Sequence, residues 1–174
     1  MRAELYWLPG PWPRRIAIAP RPRGGEWLEE EVGEWSRAGI DVVVSLLTSD
    51  EISDLELDRE ELACERAHIE FVSFPIADRS VPASKKSMSE MLAKLSGYLG
   101  SGKAILIHCR QGIGRSALLA ASLMISGGED ADSVLERISA SRGCPVPETA
   151  EQKAWIMELA KSVTNLNPKR VATR

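Results

Sequence analysis

The hydrophobic positions of this 174-residue chain fall into two patterns that alternate along the sequence. Short continuous runs rich in valine and isoleucine are typical of strands buried on both faces of a sheet. Stripes with spacings of three and four residues are typical of helices that cover such a sheet. Strands are predicted at residues 5–8, 15–19, 40–47, 69–74 and 103–108, and helices at residues 26–38, 84–99, 115–126, 130–141 and 148–163.

Cap and turn signals lie between these elements. Thr48 and Glu51 have the spacing of a capping box that begins a short helix, and a similar pair ten residues later predicts a second one ending near residue 67. Residues 75–82 begin and end with proline and predict a loop.

Strands that alternate with helices predict an α/β fold, with a mostly parallel central sheet of about five strands flanked by helices on both faces. The proline-rich segment 9–13 predicts that the first two strands lie at a sheet edge. We expect a single domain over residues 1–163 and a frayed basic tail over residues 164–174. Open α/β sheets bind ligands at the carboxyl ends of their strands, where the strand at 103–108 ends.

Composition narrows the class of protein. Hydrophobic residues make up 44% of the chain and charged residues 27%, as in globular domains. No apolar run approaches the ~20 residues of a membrane span, and no signal-peptide core is visible near the N-terminus. Three cysteines argue against a disulfide framework and favour the cytoplasm.

The net charge of −3 is unevenly distributed. Residues 26–70 hold fifteen acidic residues and three arginines, whereas residues 71–174 hold fourteen basic and nine acidic residues. The basic half suits an anion-binding site. The acidic sum and the absence of a basic stripe interleaved with aromatic residues argue against a nucleic-acid partner.

Residues 108–116, which we call the signature loop, read His-Cys-Arg-Gln-Gly-Ile-Gly-Arg-Ser between a strand and a helix. Such a loop turns successive N–H groups inward and makes a concave anion site, toward which the following helix directs its positive dipole end. Arg115 adds a planar fork that can grip two phosphate oxygens. In this field Cys109 should favour the thiolate, a nucleophile able to accept a phosphoryl group.

A dinucleotide site is the formal competitor. Residues 112–117 match the pattern G-x-G-x-x-A after a strand. That fold requires an acidic residue at the end of a second strand about 20 positions later. Asp132 lies at about the required distance along the sequence, but residues 130–141 predict a helix and not a strand, which disfavours a dinucleotide site.

The signature loop resembles that of the cysteine-dependent protein tyrosine and dual-specificity phosphatases, in which His-Cys is followed by five residues, Arg, and Ser or Thr. The resemblance extends over about residues 15–160, most strongly 71–125, and favours a small prokaryotic-type or cyclin-dependent-kinase-inhibitor-like enzyme. It implies the fold predicted above and a phosphate-binding set of Arg110, Gln111, Gly112, Ile113, Gly114 and Arg115. It further implies Cys109 as nucleophile, Ser116 as donor to the thiolate and His108 as a residue that orients the loop. A helix N-cap is the alternative role for Ser116.

The leaving oxygen must be protonated, which requires a carboxylic acid on a separate element facing the signature loop. Asp78 is the candidate, because residues 75–82 resemble the Pro-Ile-x-Asp loop of dual-specificity phosphatases. The acid would donate a proton in the first step and accept one from water in the second. A lone loop aspartate more often only forms a turn.

Other candidate residues follow from weaker patterns. Gln152 resembles the glutamine that positions the hydrolytic water in tyrosine phosphatases, although the Gln-Thr pair of that family is replaced here by Glu148-Thr149; a surface glutamine is the alternative. Arg21 and Arg23 would line the substrate entrance or be solvated loop arginines.

The remaining cysteines are also open to more than one interpretation. Cys64 and His68 have the spacing of a metal pair but lack further ligands nearby, so we expect neither metal nor cofactor. Cys144 is a possible resolving partner for oxidised Cys109, or a small packed side chain.

The expected function is hydrolysis of phosphomonoesters through a cysteinyl-phosphate intermediate. The predicted substrates are phosphotyrosine and also phosphoserine or phosphothreonine in proteins, hydrolysed by a monomer. The signature loop lacks the lysine pair of phosphoinositide-specific relatives, but phosphoinositides or small phosphoesters remain the alternative. A phosphoprotein-binding pseudophosphatase, a rhodanese-like sulfurtransferase and an arsenate reductase are further alternatives.

Overall fold

A computed structural model describes residues 4–12 and 15–166 of the chain. Within them, five strands form one sheet in the order β1-β2-β5-β3-β4. β1 pairs antiparallel with β2, and the other neighbouring strands are parallel. This arrangement confirms the predicted α/β class and its mostly parallel sheet. The strands are β1 (Tyr6–Trp7), β2 (Ile16–Pro20), β3 (Val42–Ser45), β4 (Glu70–Ser73) and β5 (Ile105–Cys109).

Helices cover both faces of this sheet. In the described part of the chain a short 3-10 helix (Gly25–Trp27) precedes α1, and the α-helices are α1 (Leu28–Arg37), α2 (Ser49–Asp54), α3 (Glu60–Arg66), α4 (Lys85–Gly100), α5 (Arg115–Ser126), α6 (Ala131–Arg142) and α7 (Ala150–Leu166). Apolar side chains of α1 and α3 pack in one core with one face of the sheet. Those of α4, α5, α6 and α7 form a larger core on the other face.

Alternate residues of the central strand β5 belong to these two cores. Ile105 and Ile107 point into the larger core and Leu106 into the smaller one, and all three are fully buried. Because β5 is buried on both faces, its sequence is a continuous apolar run and lacks the alternation of apolar and polar residues seen in half-exposed strands. Behind it, α5 is buried along residues 115–125, so this helix is held in place from every side.

Several element boundaries differ slightly from those predicted. The first two strands lie together at one side of the sheet, with β1 at the edge and β2 between β1 and β5. β3 ends at Ser45, because Leu46 and Leu47 leave the strand ladder while they stay buried. α7 continues to Leu166, into the predicted tail, and residues 167–174 lie outside the described residues.

Candidate active site

The signature loop lies at the carboxyl edge of the sheet, between β5 and α5. Gly112 has a φ of +68°, and a Cβ at this position would lie 2.5 Å from the carbonyl carbon of Ala19. Glycine is therefore required for the loop to pack so closely against the end of β2. The N–H of Arg21 also donates to the carbonyl of Arg110 at 3.4 Å. These contacts fix the loop against the neighbouring strand.

Cys109 is the last residue of β5 and is buried. Its Sγ lies 3.5 Å from the Oγ of Ser116, within hydrogen-bonding distance for sulfur. Ser116 is the second residue of α5 and is itself fully buried. The sulfur therefore lies near the positive end of a long helix and beside a hydroxyl that can donate to a thiolate.

Arg115 is held by a carboxylate that the sequence patterns did not connect with it. Its Nη1 donates to Oε2 of Glu51 at 2.7 Å and its Nη2 to Oε1 at 2.8 Å, which is the parallel two-bond geometry of an arginine fork. The Arg115 side chain is only 2% exposed, so this pair is formed in the protein interior. The hydrogen bonds from Arg115 lower the pKa of Glu51, with a smaller contribution from the backbone N–H of Thr48, against the opposing effect of burial.

Glu51 also completes the predicted capping box. Its Oε2 accepts from the N–H of Thr48 at 3.1 Å, while its own N–H donates to Oγ1 of Thr48 at 3.4 Å. The start of α2 is therefore fixed, and with it the carboxylate that orients Arg115. The capping spacing was visible in the sequence, but nothing in it identified a partner 64 positions away.

The guanidinium of Arg115 also reaches residues 75–82, which we call the acid loop. Its Nη1 donates to the carbonyl of Ile76 at 2.9 Å, and its Nη2 lies 3.1 Å from Oδ1 of Asp78. The Asp78 side chain is 54% exposed, so its carboxylate lies at the mouth of the site. The structure thus brings together the two residues that the sequence placed in separate loops.

A small cavity lies between the signature loop and the acid loop. Its volume is about 40 Å³, and the Asp78–Arg115 ion pair lies in its wall. Ile113 does not line this cavity, and Gly112 contacts β2 instead. The lining residues are Asp78, Cys109, Arg110, Gln111, Gly114, Arg115 and Glu148.

Glu148 and Gln152 connect the start of α7 to the acid loop. Oε1 of Glu148 accepts from Nη1 of Arg79 at 2.5 Å. The fully buried Gln152 donates from Nε2 to the carbonyl of Ser80 at 3.0 Å and accepts from the N–H of Thr149 at 3.2 Å. The hydrogen bonds to Arg79 and Ser80 hold the part of the acid loop that follows Asp78. Glu148, which the sequence marked only as a departure from the family pattern, is a second carboxylate in the cavity wall.

His108 lies beneath the signature loop and not in the cavity. It is fully buried, with its ring centroid 6.0 Å from that of Trp35. Its Nε2 lies 2.8 Å from Oε1 of the buried Glu60, but without the alignment of a hydrogen bond. The contact ties the residue before Cys109 to α3, and no sequence motif marked Glu60 for this position.

Two predicted entrance residues are engaged elsewhere. Arg23 pairs with Glu31 at 2.8 Å and lies over the ring of Trp27, 5.0 Å from its centroid. The Arg21 side chain donates to the neighbouring carbonyl of Pro22 at 2.9 Å. Neither side chain lines the cavity, although the backbone of Arg21 contacts the loop.

The cysteines outside the signature loop are free thiols in different surroundings. Cys64 is fully buried, and burial, followed by the charges of Glu60 and Glu61, raises the pKa of its thiol to about 12. Cys144 is half-buried. Among the described residues, no group of three or more His, Cys, Asp or Glu side chains has the arrangement of a metal site.

A larger apolar cleft of about 420 Å³ lies between α4 and α7. Its charged side chains are those of Lys85 and Glu158, which pair with each other at 2.5 Å. Its lining includes no cysteine and no anion-binding loop, so the smaller cavity at Cys109 is the candidate active site. Within residues 4–12 and 15–166, no helix is long and apolar enough to cross a membrane.

The sequence matches a family model over residues 19–129, which include all of the signature loop and the acid loop. The family is described as "Polymorphic toxin system, DSP-PTPase phosphatase". No curated protein matches the chain significantly.

Several solved structures share the fold across most of their length. Kinase associated phosphatase, with its catalytic-site cysteine replaced by serine, has a TM-score of 0.81 at 19% identity and covers 94% of this chain and 97% of its own. Tk-PTP in its active form has a TM-score of 0.74 at 27% identity, with 90% and 96% covered. PTPMT1 in complex with PI(5)P has a TM-score of 0.73 at 17% identity, with 92% and 98% covered.

Proposed function

Since the chain belongs to the DSP-PTPase phosphatase family and is a phosphatase of the protein tyrosine and dual-specificity type, we propose that it hydrolyses phosphotyrosine, and also phosphoserine or phosphothreonine, in proteins through a cysteinyl-phosphate intermediate. The observation that carries this proposal is the meeting of Cys109, Arg115 and Asp78 around one cavity. A nucleophile, an anion-binding fork and an acid are the groups that two-step phosphoryl transfer requires.

In the first step the substrate phosphate binds to the loop N–H groups and displaces Asp78 from Nη2 of Arg115. Sγ of Cys109 attacks phosphorus, and the bond from phosphorus to the leaving oxygen breaks. Once displaced from Arg115, Asp78 takes up a proton from solvent, and it gives this proton to the leaving oxygen as the bond to phosphorus breaks. Glu51 keeps the guanidinium in place through its two hydrogen bonds, so positive charge is already oriented when negative charge develops.

In the second step water attacks the thiophosphate, and the Asp78 carboxylate accepts its proton. Sulfur leaves as a thiolate, to which the hydroxyl of Ser116 donates. Gln152 uses both ends of its amide on Ser80 and Thr149, so we assign it to holding the acid loop in the free enzyme. Its positioning of the hydrolytic water stays a prediction that requires the amide to change partners. No metal or other cofactor enters either step.

The charges around the cavity support a protein substrate over a polyphosphorylated headgroup. The variable loop positions Arg110, Gln111 and Ile113 include no lysine, and Glu148 adds a negative charge to the wall. A phosphoinositide is the second candidate, because the similar PTPMT1 structure contains PI(5)P. We further propose that residues 1–163 act as one domain, as a monomer, in the reducing cytoplasm where free cysteines persist.

The first experiment measures turnover of p-nitrophenyl phosphate, with EDTA present, by the wild type, Cys109→Ser, Asp78→Asn and Glu148→Gln. We expect Cys109→Ser to be inactive and Asp78→Asn to lose about 100-fold or more in kcat. A larger loss in Glu148→Gln than in Asp78→Asn would assign the acid to the other carboxylate of the cavity. Full activity of Cys109→Ser would refute the mechanism, and turnover only of thiosulfate with cyanide would indicate a sulfurtransferase.

A second experiment compares kcat/KM for tyrosine, serine and threonine phosphopeptides with that for PI(5)P in mixed micelles. The proposal expects the tyrosine phosphopeptides to be the best substrates. Preference for PI(5)P would support the second candidate function.

A further inference from the structure

The outward face of the signature loop is held by an arginine on another element. When the N–H groups of a loop converge on an anion, its carbonyl groups point outward and need donors of their own. Arg142 supplies two of these donors. Its Nε donates to the carbonyl of Gly112 at 3.0 Å, and its Nη2 to the carbonyl of Gln111 at 2.9 Å.

Arg142 is itself fixed from two sides. It is the last residue of α6, and Gly143 follows in the left-handed conformation, with a φ of +75°, that ends the helix. Its guanidinium carbon lies 4.1 Å from the ring centroid of Tyr6, the first residue of β1. A cation over an aromatic face at this distance is attracted by the ring. The end of α6 and the ring of Tyr6 thus hold Arg142 against the loop.

We propose that Arg142, oriented by Tyr6, is a positioning residue that keeps the N–H groups of the signature loop directed at the substrate phosphate. Its fork binds two adjacent carbonyls, which a lysine cannot do with the same fixed geometry. Arg142 does not line the cavity and so acts through the loop. The proposal rests on the proposed function, which assigns this loop to phosphate binding.

Another arginine of α6 provides a matched control. Arg137 also donates to a backbone carbonyl, that of Pro9 at 2.9 Å, and pairs with Glu129. It makes these contacts away from the signature loop. Replacing Arg137 with glutamine therefore removes a helix arginine and its carbonyl bond without touching the phosphate site.

The experiment compares Arg142→Gln, Arg142→Lys, Tyr6→Leu and Arg137→Gln with the wild type. Calorimetric titration with tungstate measures anion binding, and p-nitrophenyl phosphate turnover separates KM from kcat. The rate of iodoacetamide modification of Cys109 as a function of pH, followed by mass spectrometry, reports the field inside the loop. Thermal melting measures stability separately from all three.

We expect Arg142→Gln to bind tungstate about tenfold more weakly and to raise KM by a similar factor, because two charge-assisted hydrogen bonds to the loop are lost. Its alkylation profile should shift to higher pH. Arg142→Lys and Tyr6→Leu should show smaller changes of tungstate affinity and KM in the same direction, since each keeps part of the contacts between the loop, Arg142 and Tyr6. Arg137→Gln should bind tungstate like the wild type.

Tungstate affinity and alkylation profiles of Arg142→Gln within about twofold of those of Arg137→Gln would overturn the proposal. If Arg142→Gln does not fold, the lysine and Tyr6 variants decide it by the same comparison. A wild type that binds tungstate but does not turn over phosphate esters would refute the proposed function alone. A wild type that binds no tungstate would refute both.

Discussion

At the scale of single residues, Arg115 joins the signature loop to α2 and to the acid loop. Its guanidinium is buried and bonded to Glu51, to the carbonyl of Ile76 and to Asp78. Breaking a buried ion pair by removing one partner leaves an uncompensated charge, which costs about 3–5 kcal/mol. Glu51 is therefore as important for the placement of the anion-binding fork as Arg115 itself.

We expect Glu51→Gln to lower both activity and stability. The amide cannot accept at both ends of the guanidinium, so the fork turns away from the loop, and kcat/KM for p-nitrophenyl phosphate should fall by about 100-fold. The free energy of unfolding in urea should fall by about 3 kcal/mol. Asp50→Asn, at an exposed acid beside Glu51 in the first turn of α2, is the control and should stay near wild type. Equal effects of the two substitutions would contradict the assignment.

The same ion pair predicts the response to acid. Hydrogen bonds from Arg115 hold the pKa of Glu51 below its ordinary value of 4.5 in the folded protein. A lowered folded pKa contributes stability above the unfolded value, and this contribution is lost as pH falls through the folded value. Wild-type stability should thus decline below about pH 4.5 more steeply than that of Glu51→Gln. The free energy of unfolding in urea is measured for both proteins between neutral and acidic pH. If it changes equally with pH in the two proteins, this contribution of Glu51 is excluded.

Gly112 gives a steric test of the loop. Its φ is +68°, and an added Cβ would lie 2.5 Å from the backbone of Ala19. Gly112→Ala should displace the loop from β2 and lower kcat/KM by about 100-fold, as small displacements of catalytic groups do. Gly39→Ala is the matched control, because Gly39 also has a positive φ, of +86°, but no atom within 4 Å of the added Cβ. That variant should lose only about 1 kcal/mol of stability and keep its activity, and similar kinetics for both variants would disprove the steric explanation.

Among secondary-structure elements, the start of α7 is the one that holds the acid loop. Gln152 donates a hydrogen bond to the carbonyl of Ser80, and Glu148 accepts one from the side chain of Arg79. Ser80 and Arg79 are neighbours in the acid loop. The exposed Arg79–Glu148 pair contributes little by itself in water. The buried amide of Gln152 is the stronger connection, since removing it leaves the carbonyl of Ser80 without this donor.

We therefore expect Gln152→Ala to act mainly on kcat. The acid loop loses its hydrogen bond to the amide, while Gly114 of the signature loop loses only a neighbouring side chain, so kcat should fall by about tenfold with a smaller change in KM. Lys153→Ala, at the exposed neighbouring position of α7, should behave like the wild type in the same steady-state assay. A Gln152→Ala effect confined to KM would place this residue in substrate binding instead.

For the whole molecule, the fold sorts three thiols into different environments. Cys64 is a residue of α3 and is fully buried in the smaller core, and burial raises the pKa of its thiol to about 12. Cys109 opens into the cavity, and Cys144 is half-buried. All three are free thiols, so the reactivity of each depends on its access to solvent and on thiolate formation.

This sorting predicts the pattern of chemical modification. At neutral pH, iodoacetamide should modify Cys109 in the folded protein and leave Cys64 intact until urea unfolds the chain. Tungstate should protect Cys109 without changing the modification of Cys144. Peptide mass spectrometry identifies the modified residues, and native-state labelling of Cys64 would show that the smaller core opens more easily than its burial indicates.

Local patterns predicted the parts of the molecule that depend on neighbouring residues. The continuous apolar runs indicated strands, because burial on both faces of a parallel sheet removes the polar period. The spacing within residues 108–116 predicted an anion loop, and the Thr48–Glu51 box predicted the start of α2, which the structure contains. The ends of the strands were less predictable, since they depend on which neighbouring strand completes the hydrogen-bond ladder.

The sequence by itself thus determined the fold class and the residue types of the site, because hydrophobic periodicity, helix caps and loop spacing depend only on residues that are close together in the sequence. Only the tertiary structure decided the partners: Glu51 and Asp78 on Arg115, Glu60 on His108, and Arg142 behind the loop. These contacts join side chains from different strands and helices. They form because the parallel sheet brings the carboxyl ends of distant segments to one edge, and sequence spacing carries no record of that distance.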